Sequence, residues 1–156
     1  MVRLSICVAL TAALCGAAHA IDYRWTTGFA QGTVEAIIRN AAGSSVNIYC
    51  PSGQATTTPG MFVEVGRVKP KKDEAVDIQV IVGRENHPFV LQEIQFEAAG
   101  RGFYNSLYRL IDALSQAKGR TFAVEFPKYR IAETFSLRDA KKSLGSARDF
   151  LSGCEI

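Results

Sequence analysis

The chain has 156 residues, with 18 Lys and Arg against 15 Asp and Glu and a formal net charge of +3. That length suits one domain with a hydrophobic core of its own. The near balance of charge excludes the basic footprint of a nucleic-acid binder and a strongly membrane-seeking surface.

The chain opens with MVRLSICVALTAALCGAAHA, which joins Arg3 to an apolar stretch over 4–15 and a small-x-small site at Ala18-His19-Ala20. This is the pattern of a secretory signal peptide over 1–20. The apolar run is shorter than the roughly 18 residues a membrane span needs, so no transmembrane span is expected. Leu14 stands directly before Cys15, where a lipoprotein signal carries a small residue, which argues against lipidation. Cleavage after Ala20 would leave residues 21–156 as a single β-rich domain in the periplasm or outside the cell. Cys7 and Cys15 would leave with the signal, and Cys50 and Cys154 would remain. Two cysteines in an oxidising compartment allow one intramolecular pairing, so a Cys50–Cys154 disulfide is expected.

Residues 21–32 mix aromatics with turn formers. Over 33–39, Val34, Ala36 and Ile38 share one side of a strand, and the Asn40–Ser45 segment reads as a turn. Residues 46–50 alternate cleanly: Val46, Ile48 and Cys50 face together, with Asn47 and Tyr49 on the other side. An exposed loop rich in small residues leads to Met61, Val63 and Val65 on one strand face. A polar turn over 69–74 follows. Val76, Ile78, Val80 and Val82 then form the inner side of the clearest strand. Residues 84–88, RENHP, read as a turn with His87 on the surface. The stretch 89–97 changes phase near Gln92, which requires a bulge or short break.

The period then shifts from 2 to 3.6. Phe103, Leu107, Leu110 and Leu114 make one stripe, widened by Tyr104, Tyr108 and Ile111, and predict a helix over 103–117 that packs on the sheet. Gly119 is placed to end it. Residues 120–126 and 130–137 read as a hairpin, in which Glu133 shares the parity of Ile131 and Phe135. A carboxylate on a core face must be buried and paired, or the strand must twist. A last helix is expected over 138–151, with Ser136 and Asp139 as a capping box. Gly145 weakens its middle, and Gly153 ends it before Cys154. These elements predict an α+β fold: a mixed or mostly antiparallel sheet of six or seven strands, sandwich or half-barrel in character, with two packed helices in the C-terminal half.

The catalytic vocabulary is sparse. The sequence carries no G-x-G-x-x-G, no phosphate loop of the G-x-x-x-x-G-K-[ST] type, no H-E-x-x-H and no G-x-S-x-G. Neither Cys50 nor Cys154 lies in a C-x-x-C pair, and the mature chain has one histidine, His87. No catalytic, metal or cofactor-binding residue is therefore assigned, and no cofactor is expected. Glu35, Glu64, Asp77, Glu93, Glu97, Glu125 and Glu133 are the carboxylates from which a glycan-acting pair could be drawn. Arg67, Lys69, Lys71 and Lys72 crowd one turn and could meet an acidic partner, a phosphate or an anionic membrane; Asp73 and Glu74 beside them fit a solubilising turn. The leading expectation is a non-enzymatic exported protein that binds another protein, as an envelope factor, host-interaction factor or inhibitor. The alternatives are a carrier of a small apolar ligand and a carboxylate-based enzyme acting on glycans.

Overall fold

The computed structural model describes residues 23–51, 58–92, 94–97 and 101–154. The expected signal peptide, with Cys7 and Cys15, lies outside these residues, as do Glu93 and most of the small-residue loop after Pro51. The described residues form one antiparallel sheet and three short-to-medium helices. In chain order they are β1 (Thr26–Ala30), β2 (Thr33–Arg39), β3 (Ser45–Pro51), β4 (Gly60–Glu64), β5 (Ala75–Val82), β6 (Glu85–Gln92), β7 (Gln95–Glu97), α1 (Arg101–Gln116), β8 (Thr121–Phe126), β9 (Ile131–Ser136), α2 (Ala140–Leu144) and α3 (Ala147–Ser152). The sheet order is β1-β2-β3-β4-β7-β6-β5-β8-β9. The fold is α+β, with the helices packed in the C-terminal half.

Nine strands replace the six or seven expected. One addition is β1, which pairs with β2 through the two-residue turn Gln31-Gly32. Both turn residues take positive φ, 51° and 75°, as a tight inverse turn demands. Gln at the first of these positions gives little sequence signal, since Asn, Asp or Gly is the usual occupant. The other addition resolves the phase change at Gln92. β6 ends there, Ile94 N donates to the Gln92 carbonyl at 2.8 Å, and Gln92 lies opposite Gln95 of the short β7.

Residues 84–88 are mostly strand rather than turn. The reversal takes only Gly83 and Arg84, with Val82 opposite Glu85 and Val80 opposite His87. Gly83 takes φ 63° at the first turn position, where only glycine fits without strain. His87 consequently belongs to β6. Pro88, which suggested a break, is accommodated opposite Gln79 without ending the strand.

The sheet curls. Its inner face carries Ala36, Ile38, Val46, Ile48, Met61, Val63, Val76, Ile78, Val80, Phe89, Leu91, Phe122, Val124 and Phe135, all buried. α1 fills the concave side with Leu107, Leu110, Ile111 and Leu114. Phe103 departs from the expected stripe: it is 56% exposed and meets the ring of Phe96, 5.9 Å away, edge-on. It sits in the first turn of α1, where the helix runs past the short β7 and finds little sheet beneath it.

The last helix is broken in two. Gly145 takes φ 60°, so the chain leaves α2, and Ser146 starts α3 by accepting a hydrogen bond from Asp149 N at 3.1 Å. The capping box expected at Ser136 and Asp139 is not formed. Ser136 Oγ accepts from Arg138 N, and Asp139 precedes α2 in a left-handed conformation without a side-chain cap.

Two contacts close the curl. β2 meets β9 through Asn40, whose side-chain amide donates to Glu133 Oε2 at 2.8 Å. Arg67 Nη2 donates to the other oxygen, Oε1, at 2.6 Å. Glu133 is therefore buried and paired, which answers its odd parity. At the same end of the β1–β2 hairpin Trp25 N donates to the Arg138 carbonyl at 3.0 Å, and the indole stacks on Phe122 with centroids 6.0 Å apart. The Cys50–Cys154 disulfide then ties the chain after α3 to β3, with Cα atoms 5.1 Å apart, inside the ordinary range.

A second carboxylate braces the turn before β5. Glu74 accepts from Lys128 Nζ at 2.6 Å, Tyr129 Oη at 2.8 Å and Lys71 N at 2.7 Å. The Lys128 ammonium, then the Lys71 amide and the Tyr129 hydroxyl, hold its carboxyl down to about 2. A folded value below the unfolded one contributes stability above the ordinary glutamate range and loses it as pH falls toward 2. Glu74→Gln should therefore reduce stability at neutral pH and flatten the acid limb between about pH 4.5 and pH 2. Urea titrations across that window check this; parallel acid limbs in the two proteins would refute it.

Candidate functional site

Two features of the surface bring chemistry-bearing residues together. The first is a cleft of about 820 Å³ between the β5–β6 turn and the C-terminal half of α1. Alternate residues of β6 face the helix, so His87 follows Leu91 and Phe89 onto the inner face. It sits at the end of the strand, where the helix no longer covers the sheet completely. Its Nε2 is buried without a hydrogen-bond partner and lies 3.6 Å from Glu85 Oε2. Burial lowers the imidazole below its ordinary value; Glu85 opposes this and the Arg109 charge adds to it.

Arg84 from the turn, Arg109 from α1 and Lys118 after it also line this cleft, and Val82, Tyr108, Ala113 and Ala117 supply apolar wall. Asp112 is committed elsewhere. Its Oδ1 accepts from Ala147 N at 3.0 Å and so helps cap α3. Sequence reasoning placed His87 in a surface turn and missed this grouping. The two-residue reversal at Gly83-Arg84 was the usable signal, because it turns 85–92 into a strand and sets His87 in the parity of Phe89 and Leu91.

The second feature lies around β7. Phe62, Val90, Ile94 and Phe103 are large apolar residues with between 37% and 56% of their surface exposed. Val90 and Phe103 line one depression with Gln92, Gln95, Phe96 and Glu97. Phe62 stacks on Tyr49 at 5.0 Å, and Gln95 Nε2 donates to Tyr49 Oη at 2.6 Å. Ile94 is fixed beside β4 by its carbonyl, which accepts from Val63 N at 3.0 Å. A side chain at Gly60 would overlap the Tyr49 hydroxyl and the Phe96 carbonyl, so the close approach of β3, β4 and β7 depends on that glycine.

The basic turn divides in two. Arg67 is held by Glu133, whereas Lys69, Lys71 and Lys72 are exposed. The backbone of the turn is pinned, since Lys71 N donates to Glu74 and Glu74 N to the Lys71 carbonyl. Of the candidate carboxylates, Glu133 is bound by Arg67 and Asn40, and Glu35 accepts from Asn47 at 2.8 Å. Among the described residues no group of three or more His, Cys, Asp or Glu is arranged to hold a metal ion, and no helix is long and apolar enough to cross a membrane.

No curated protein and no solved structure matches the chain. One family model, YfjT, matches residues 23–144, which take in all nine strands, the His87 cleft and the aromatic surface and stop before α3 and Cys154. Well over half of the chain is covered, and the protein belongs to the YfjT family.

Proposed function

We propose that this is a non-enzymatic exported protein that binds another protein through the apolar surface around β7. The observation that carries the reading is the depression in which exposed Val90 and Phe103 meet over Phe96, with two more exposed apolar residues, Phe62 and Ile94, next to Gln95 of β7 in the pairing and the sequence. Soluble domains seldom leave such side chains clustered in water unless something covers them, and aromatic anchors with a polar rim are the usual make-up of a protein-binding centre. Gln92, Gln95 and Glu97 supply that rim. Export to the periplasm or beyond is supported by the signal-peptide pattern and by the Cys50–Cys154 disulfide. Protein binding is favoured over carriage of a small apolar ligand because α1 occupies the concave side of the sheet, the place a cargo would take.

A photo-crosslinking residue at Val90 tests this in the living cell, with one at Arg148 on α3 as control. The expected result is a discrete adduct from position 90 whose mass differs from that of two copies of the chain. Phe62→Asp with Phe103→Asp should reduce it about tenfold or more, as loss of binding anchors does. Identical adducts from both positions, or an adduct indifferent to the two aspartates, would overturn the proposal. An adduct of twice the chain's mass would replace the foreign partner with a second copy.

A further inference from the structure

We propose that the cleft between the β5–β6 turn and α1 binds a small organic anion, a molecule with a carboxylate or phosphate head and a short apolar body. The site is separate from the surface around β7. Three observations converge on it. Arg84, Arg109 and Lys118 line the cleft, and none has a carboxylate within ion-pair distance among the described residues. The cations Arg67 and Lys128 are by contrast paired at 2.6 Å. Two guanidinium forks suit the planar or tetrahedral oxygens of such a head group.

The second observation is His87. Its Nε2 is buried and lacks a hydrogen-bond partner, a costly state for a polar atom. A ligand oxygen in the cleft would accept a hydrogen bond from Nε2–H and remove that cost. The third is the wall. Val82, Tyr108, Ala113 and Ala117 offer apolar contact beside the cations, and the volume of about 820 Å³ fits a small molecule rather than a bare ion. The acidic groups at the cleft do not fill this role. Asp112 is held by Ala147 N, and the Glu85 side chain is 73% exposed and free to turn outward.

Protonation of His87 would add a cation among Arg84, Arg109 and Lys118, opposed by Glu85 and Asp112, with Tyr108 neutral. Anion binding should accordingly strengthen as pH falls. The test is NMR titration of the oxidised mature protein with phenyl phosphate, with inorganic phosphate, and with benzamidine, which keeps the ring and reverses the charge. Phenyl phosphate should shift the His87 ring and Arg109 side-chain signals saturably, more tightly at about pH 5.5 than at about pH 7.5. Benzamidine should leave them unmoved. Arg84→Gln with Arg109→Gln should weaken binding by about tenfold or more, with thermal unfolding little changed because both side chains are exposed. Weak shifts by inorganic phosphate at the same residues would support the head-group site. Co-sedimentation with phosphatidylglycerol vesicles that the double variant loses would make a lipid head group the source of the anion. Equal binding of benzamidine, binding undiminished in the double variant, or no saturation by about 10 mM phenyl phosphate would overturn the assignment.

Discussion

Cys50→Ser is expected to lower the stability of the oxidised domain by about 2–5 kcal/mol. The bond closes a segment of 104 residues, and constraint of so long a loop in the unfolded chain is worth about 4–5 kcal/mol in the entropic model. Cys50 has none of its surface exposed and Cys154 only 3%, so a serine at either place also buries a hydroxyl. The loss should be felt first in α3. A six-residue helix does not persist in water alone, and this one is held by Ala147, Phe150 and Leu151 in the core and by the disulfide two residues after its end. Cys154→Ser should cost much the same, and the double variant little more, because all three changes open one loop. Denaturant titration measures the loss, and hydrogen exchange at Ala147–Ser152 locates it. A midpoint unchanged in either single variant would remove the staple from the account of stability.

Trp25→Ala should cost about 3–5 kcal/mol, as large aromatic deletions from cores do. Trp25 is 2% exposed and sits just before β1, yet it stacks on Phe122 of β8. Phe122 in turn stacks on Phe135 of β9 with centroids 5.3 Å apart. Three rings thus join the first strand of the sheet to the last two, and truncating one opens the curl at that end. The indole Nε1 is buried without a hydrogen-bond partner among the described residues. Trp25→Phe should therefore cost less than its lost volume implies, since it also removes an unpaired donor whose burial is worth about 1–3 kcal/mol against folding. Thermal unfolding of the two variants decides the matter; a Phe variant as damaged as the Ala variant would show that the donor carries no penalty.

Much of the architecture is legible in one dimension. The alternation at 46–50 and 75–82 and the 3.6-residue stripe at 107–114 report which face is buried, because burial of alternate or stripe residues is what creates the pattern. The disulfide was expected from the signal-peptide pattern and a count of cysteines. The parity of Glu133 left a buried, paired carboxylate or a twist in the strand as the alternatives; the pairing that decides between them comes from Arg67 and Asn40, 66 and 93 residues away, which nothing local names.

Other features were decided in three dimensions. The phase of β6 depends on a two-residue reversal at Gly83-Arg84, and a slip there changes the face of every following side chain. That slip hid His87 and its cleft, which is assembled from β6, a turn and α1, elements that meet only after folding. Phe103 fits the helical stripe by spacing, but the sheet beneath it narrows to the three residues of β7, so packing leaves it exposed. The sequence by itself determined which residues are apolar and at what period, and hence the elements and the staple. Only the tertiary structure decided how far each element extends over its neighbour, because coverage depends on strand length and sheet curl, and uncovered ends are where the cleft and the aromatic surface arise.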